Sequence, residues 1–222
     1  MSTGRRLIDL SHVISDNMLT NPWVPKPRVT EFISRDQSHS FCTDGVSYLM
    51  AQVSMPGSTG TYMDAPYQFH EDGADMTTVP LEQLFDIPIV VVRVTDQKEI
   101  GPELFEGRGD LTGAAVLVNT DHARHWGTGE FFKDSPYLTA EAVEYLLSVE
   151  PLVVGIDSQN IDNGTDKAKP AQHLLLGAGI VLLECLNRLG EVDETGARLR
   201  VLPTPIQGMG SFPVRPVALV DG

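Results

Sequence analysis

Hydrophobic and polar positions along this chain fall into short apolar runs separated by polar, glycine- and proline-marked segments. Ile87 to Val94 is almost unbroken Ile and Val. Ala114 to Val118, Leu152 to Ile156 and Gly179 to Leu183 are further runs of the same kind. Runs this short and this rich in β-branched residues predict strands buried on both faces. Leu7 to Leu10, Val29 to Ile33 and Ser47 to Val53 predict three more strands. Between the second and third apolar runs, Thr139 to Ser148 changes to helical spacing. Thr139 caps it, Glu141 suits its N-terminus, and Ala142, Val143, Leu146 and Leu147 form one apolar face. Strands alternating with a helix predict an α/β domain. Val79 to Phe85 predicts a turn or short helix, and Cys42 to Gly45 a turn.

The stretch from Ser58 to His70 breaks this pattern. It is polar, yet it lies among strand-like runs, and Gly57, Gly60 and Pro66 punctuate it as a shaped loop. Read as extended chain, it turns Ser58, Tyr62, Asp64 and Gln68 toward one cavity. A second punctuated loop, Asn21 to Pro27, carries Trp23, read equally as a packing anchor or a lid over a substrate.

With 222 residues and 41% hydrophobic content, the chain supports one well-buried core, a single domain over 1–222. No apolar run reaches the roughly 18 residues of a membrane span, and the polar start at Met1 to Arg6 does not read as a secretory signal. The formal charge of −14 argues against nucleic-acid binding, which needs basic patches. Two cysteines, Cys42 and Cys185, lack metal-type spacing and suit a reducing, cytoplasmic setting.

The central stretch resembles the signature of the cyclase family that includes kynurenine formamidase and isatin hydrolase, His-x-Gly-Thr-His-x-Asp-x-Pro-x-His-Phe. Gly60, Thr61, Asp64, Pro66 and Phe69 match it; Ser58, Tyr62 and Gln68 stand where the family has histidines. Further likeness runs through the opening Asp9-Leu10-Ser11-His12, through Thr120 to Thr128 with Trp126 kept, through Gly155 to Ser158, and through Gly210 to Arg215 with Phe212 inserted. The resemblance covers Leu7 to Val220 and implies a β/β/α fold of the swivelling type. It also implies a homodimer or homotetramer, with a neighbour's loop near the pocket.

In that family, two signature histidines and the Asp hold a divalent ion, joined by a distant His and Glu. Here the distant pair falls on Gln172 and Glu184, with His173 beside Gln172 and, in extended chain, pointing away. Ser58, Tyr62 and Gln172 thus replace three imidazole ligands, and Gln68 replaces the family's catalytic His. Hydroxyls and amides are poor donors for zinc or manganese; two carboxylates with water can still hold a hard ion such as Mg²⁺. No metal or other cofactor is expected. What remains is an acid–base set: Asp64 and Glu184 as carboxylates, Tyr62 as a phenol, and His70 nearby. Ser58, Gln68, Gln172, Trp126 and Trp23 are the expected substrate contacts. Two close carboxylates drive one pKa upward, so one serves as base and the other as acid. Such a set suits cyclisation, dehydration or isomerisation of a small carbonyl compound, for example a polyketide-type intermediate. Two rival readings are a metal-dependent amide or lactam hydrolase of the kynurenine formamidase type, and a non-catalytic binding protein on an inherited fold. Each residue also has a plainer role. Asp64 can brace the Gly60-Thr61 loop, Glu184 can bond backbone, His12 can bond backbone near the site, Trp126 can pack, and His70 can be solvated.

Overall fold

A computed structural model describes residues 4–19 and 21–220. In chain order its elements are β1 (Arg6–Asp9), β2 (Arg28–Ile33), α1 (Arg35–His39), β3 (Met50–Ser54), β4 (Tyr62–Asp64), β5 (Phe85–Arg93) and β6 (Glu99–Ile100). They continue with β7 (Ala115–Asn119), β8 (Tyr137–Leu138), α2 (Ala140–Val149), β9 (Val153–Ile156), α3 (Pro170–Gly177), β10 (Val181–Glu184), β11 (Ala197–Arg200), β12 (Ser211–Pro213) and β13 (Val217–Val220).

The main sheet runs β1-β13-β11-β5-β7-β9-β10-β4-β12. Its centre, β5-β7-β9-β10, is parallel, and these are the four apolar runs of the sequence. Alternation along each strand divides the core in two. Val90, Val92, Val116, Val118, Val154, Ile156 and Leu182 face a layer made by α2 and α3. Ile89, Val91, Leu117, Val153 and Leu183 face the other way, where Ile8, Leu199 and Ala218 of the antiparallel limb β1-β13-β11 fold over them. The result is the mixed α/β, β/β/α arrangement with a curled sheet. Gly155 lies at the centre because a side chain there would meet Leu117 and Leu186 at 2.8 Å.

Helix α2 forms as its pattern predicts: the Thr139 hydroxyl accepts from the Ala142 N–H, and Ala142, Val143 and Leu146 are buried. Three expectations shift. The strand read at Ser47 to Val53 begins only at Met50, and that read at Gly179 to Leu183 runs from Val181 to Glu184. Gln172 and His173 lie on α3, not in extended chain; Pro170 occupies the first turn, where its missing N–H is no loss. Strands β2 and β3 form a separate two-stranded ribbon. Among the described residues, no helix is long and apolar enough to cross a membrane.

Candidate active site

Strand β4 carries the site, and its register places the chemistry. It pairs antiparallel with β10 so that Tyr62 lies opposite Glu184, and with β12 so that Asp64 lies opposite Ser211. Period-two alternation puts Tyr62, Asp64, Glu184 and Ser211 on one face of the sheet, the face covered by α3. Asp64, Glu184, Gln172 and Tyr62 are all buried.

The Tyr62 phenol donates a short hydrogen bond to Glu184 Oε2. Glu184 Oε1 accepts from the backbone N–H of Ile161 at 2.8 Å, so both carboxylate oxygens have partners. The Gln172 amide donates to Asp64 Oδ2 at 3.3 Å. Among the described residues, Asp64 Oδ1 and the Ser211 hydroxyl, both buried, have no hydrogen-bond partner. Gln172 is aimed by a residue the sequence reading passed over: Asp162 accepts from the Ala171 and Gln172 N–H groups at 2.8 and 2.9 Å, capping α3. Its signal was the run Asp162-Asn163-Gly164-Thr165 before Pro170, a loop leading into a helix start.

Burial raises the pKa of every acid here. Glu184 is pushed up by loss of water and then by the charge of Asp64. Asp64 is pushed up by burial, only partly offset by the neighbouring Ser211 hydroxyl and Gln172 amide. Tyr62 and Cys185 are driven well above their ordinary values by burial and by these carboxylates. Two carboxylates in one dry site do not both ionise readily, so the pair gives up its protons at higher pH than free carboxylates do.

Tyr62 forms the floor of a small cavity of about 40 Å³, shared with Ser58, Trp126, Gln159, Asn160 and Cys185. Asp64 and Glu184 are absent from that lining. The Trp126 indole stacks on the His12 ring at 4.0 Å and meets Phe131 edge-on at 5.0 Å. The frame is tied by Thr61, whose hydroxyl donates to the Cys185 carbonyl at 2.6 Å and accepts from the His12 N–H at 2.9 Å. A larger cleft of about 490 Å³ adjoins, sharing Asn21, Gln159 and Asn160 with the small cavity and lined also by Trp23 and Phe132.

The remaining expected site residues lie elsewhere. Gln68 does not share the face of Tyr62 and Asp64, because Pro66–Gln68 turns into a 3₁₀ helix and leaves it exposed. The His70 ring bonds the His173 carbonyl at 2.9 Å and stacks on the His173 ring at 4.9 Å, away from both cavities. Asp64 does not brace the Gly60-Thr61 loop; its bonded partner is Gln172.

These donors do not fit a transition-metal ion. The Gln172 amide already donates, the phenol is bonded to Glu184, Ser58 and Ser211 offer only hydroxyls, and two carboxylates, Asp64 and Glu184, are all that remain. Among the described residues, no three His, Cys, Asp or Glu side chains come together as a set able to hold a metal.

Comparison with known proteins adds to this geometry. A family model described as "Putative cyclase" matches residues 8–163. The kynurenine formamidase of Geobacillus thermodenitrificans is 30% identical over 207 residues, covering 89% of this chain and 97% of its own. The structure of isatin hydrolase A from Labrenzia aggregata superposes with a TM-score of 0.85 at 26% identity, covering 98% of this chain and 94% of that one. Isatin hydrolase A from Ralstonia solanacearum has the same fold, with a TM-score of 0.80 at 24% identity over 98% of this chain and 92% of its own.

Proposed function

This chain belongs to the putative cyclase family, and on that premise we propose that it is a metal-independent enzyme performing acid–base chemistry on a small carbonyl compound. Its similarity to kynurenine formamidases and isatin hydrolases supports a hydrolase-like enzyme; the type of reaction is our inference. The observation that carries it is the buried bond between Tyr62 of β4 and Glu184 of β10, Tyr62 and the preceding loop residue Ser58 standing where the resemblance places family histidines.

Tyr62 is the group of this set that faces the cavity, and Glu184 is its proton reservoir. When Glu184 is ionised, Tyr62 donates to it. A proton can then leave the carbon next to a substrate carbonyl for the phenol oxygen while the phenol's own proton moves to Glu184 Oε2. When Glu184 is protonated the bond reverses, and the phenol O–H turns to the cavity. The proton then returns through Tyr62 to an enolate carbon, to a departing hydroxide, or, where the enolate carbon has bonded to a second carbonyl carbon of the substrate, to the alkoxide oxygen that this leaves. The net result is isomerisation, dehydration or an aldol-type closure, with no atom left unaccounted for. Asp64 acts behind this pair, holding the Glu184 proton through its charge. Such chemistry suits a carbonyl-rich, polyketide-type substrate.

The reading is tested by proton exchange. Wild-type protein in D₂O should catalyse deuterium incorporation into the acetyl methyl group of 4-acetylbenzamide, with the rate unchanged after dialysis against EDTA. Tyr62→Phe should abolish exchange while keeping its circular dichroism spectrum. Undiminished exchange in that variant, or loss of exchange with EDTA, would reject the proposal. Relatedness to kynurenine formamidases favours a second reading, hydrolysis of an amide or lactam with an altered ligand set. Stoichiometric metal in protein purified without chelator, together with hydrolysis of a formanilide, would support that instead.

A further inference from the structure

Helix α3 carries Gln172, and the donors of its first turn are met from a distance. Pro170 brings no N–H, and the His173 N–H reaches back to the Lys169 carbonyl at 2.8 Å. Lys169, the residue before the helix, supplies no side-chain cap. The two donors left over, the N–H groups of Ala171 and Gln172, go to Oδ1 and Oδ2 of Asp162. Asp162 is 2% exposed, so both bonds are shielded from water. The loop that supplies this cap also serves the other carboxylate. Ile161, the residue before Asp162, donates its N–H to Glu184 Oε1 at 2.8 Å and accepts from the Leu138 N–H at 2.9 Å. Two consecutive residues therefore reach both halves of the acid pair. Ile161 touches Glu184 directly, and Asp162 holds the turn from which the Gln172 amide reaches Asp64.

We infer that Asp162, which does not line the Tyr62 cavity, is a positioning residue for the chemistry there: acting through the first turn of α3, it holds the Gln172 amide on Asp64 and so keeps the two carboxylates working as a pair. A helix of eight residues has little cooperative strength of its own, and its first turn frays when its donors are unpaired. Side-chain direction in a helix follows the backbone of its turn, so a loosened turn swings the Gln172 amide away from Asp64. Asp64 Oδ2 is then a buried carboxylate oxygen with no bond to offset its burial, and the group takes up a proton instead of keeping its charge. That charge is what holds the proton on Glu184 in the proposed reaction. The inference rests on that reading for its effect on rate, and on geometry alone for the aim of Gln172.

NMR tests the aim without turnover. Asp162→Ala removes both acceptors. Asp162→Asn keeps one oxygen for the helix and carries the test if the first variant does not fold. In either protein the side-chain NH₂ signals of Gln172 should move toward those of free glutamine, and the Asp64 carboxyl carbon should shift with them. Thr139→Ala is the control, because it removes the cap of α2 and no contact of Gln172 or Asp64. It should lower the melting temperature while leaving both signals in place. In the deuterium-exchange assay, Asp162→Ala and Gln172→Leu should each slow the rate about tenfold, as expected for one hydrogen bond to a charged group. In the Gln172→Leu background, Asp162→Ala should change the rate by less than about twofold, since the group it aims is already gone. Unmoved Gln172 and Asp64 signals in a folded Asp162 variant, or rate losses that multiply in the double variant, would overturn the inference. Shifted signals with no exchange by the wild-type protein would leave the role of Asp162 standing and reject only the proton-transfer reading.

Discussion

The phenol of Tyr62 and the carboxylate of Glu184, 122 positions apart in the chain, share a hydrogen bond sealed inside the protein. They meet because β4 and β10 pair antiparallel with these two residues directly opposed. The bond links the site to stability as well as to chemistry. Tyr62→Phe leaves Glu184 Oε2 buried without a partner and should lower unfolding free energy by about 1–3 kcal/mol. Adding Glu184→Gln removes the stranded charge, so the double variant should lose less than the sum of the two single changes. Urea denaturation of the four proteins checks this.

The same pair sets a dependence on pH. The folded state holds Glu184 with a pKa raised above its ordinary value of 4.5, through burial and the charge of Asp64. In the window above pH 4.5 the native protein therefore binds more protons than the unfolded chain, and stability falls as pH rises. Asp64, raised for the same main reason, adds a term of the same sign. Glu184→Gln should flatten the decline in melting temperature between pH 5 and pH 8 that wild type shows, read by differential scanning calorimetry in a series of buffers. A wild-type melting temperature that rises through that window would contradict the assignment.

At the acid end the sign reverses. His12, stacked on Trp126, is held neutral by burial, with its pKa pushed down to about 4 from 6.5. Between those values the unfolded chain binds the extra proton, so the His12 contribution to stability should shrink as pH drops from 6.5 toward 4, opposing the Glu184 and Asp64 contributions where the windows overlap. His12→Gln keeps a planar polar group without the titration and should remove that part of the acid loss, measured by the same calorimetry.

Much of this fold is legible from the sequence, and the reasons are physical. The runs Ile87 to Val94, Ala114 to Val118 and Leu152 to Ile156 announce themselves because a parallel strand covered on both faces needs apolar residues throughout. Thr139 and its following apolar spacing announce α2. Helix α3 is harder to see. Its residues Gln172 and His173 sit where a relative's ligand would, which invites an extended reading, and its N-terminal cap, Asp162, lies eight residues before Pro170. Tyr62, Asp64, Glu184 and Gln172 are legible through the kept frame of Gly60, Thr61 and Pro66, yet not their depth: the sequence does not say that Tyr62 faces the cavity while the carboxylates are absent from its lining.

Gly57 offers a test of how the signature loop is held against β12. A side-chain carbon there would lie 2.2 Å from the Ser211 carbonyl oxygen, a backbone atom with no easy retreat. Gly57→Ala should push β12 away from β4, destabilise the protein by about 1–3 kcal/mol, and disturb the Asp64 environment, because Ser211 is its cross-strand partner. Chemical denaturation and the backbone amide NMR shifts of Asp64 and Ser211 read the two effects.

The ribbon of β2 and β3 sets the last expectation. Its register pairs Val29 with Val53 and Ile33 with Met50, and Val29, Phe32, Met50 and Val53 are all exposed. A two-stranded ribbon with neither face covered is at best marginally stable in water, and apolar side chains concentrated on such an element mark an association surface. A second copy of the chain would supply the missing cover, in keeping with the homodimer or homotetramer that the family resemblance implies. Sedimentation equilibrium should therefore give a mass of two or four chains for wild type. Phe32→Asp with Val53→Asp, which places charge on the ribbon far from Tyr62, should shift that mass toward a single chain. A wild-type protein that sediments as one chain at micromolar concentration would show that the ribbon stands in water uncovered.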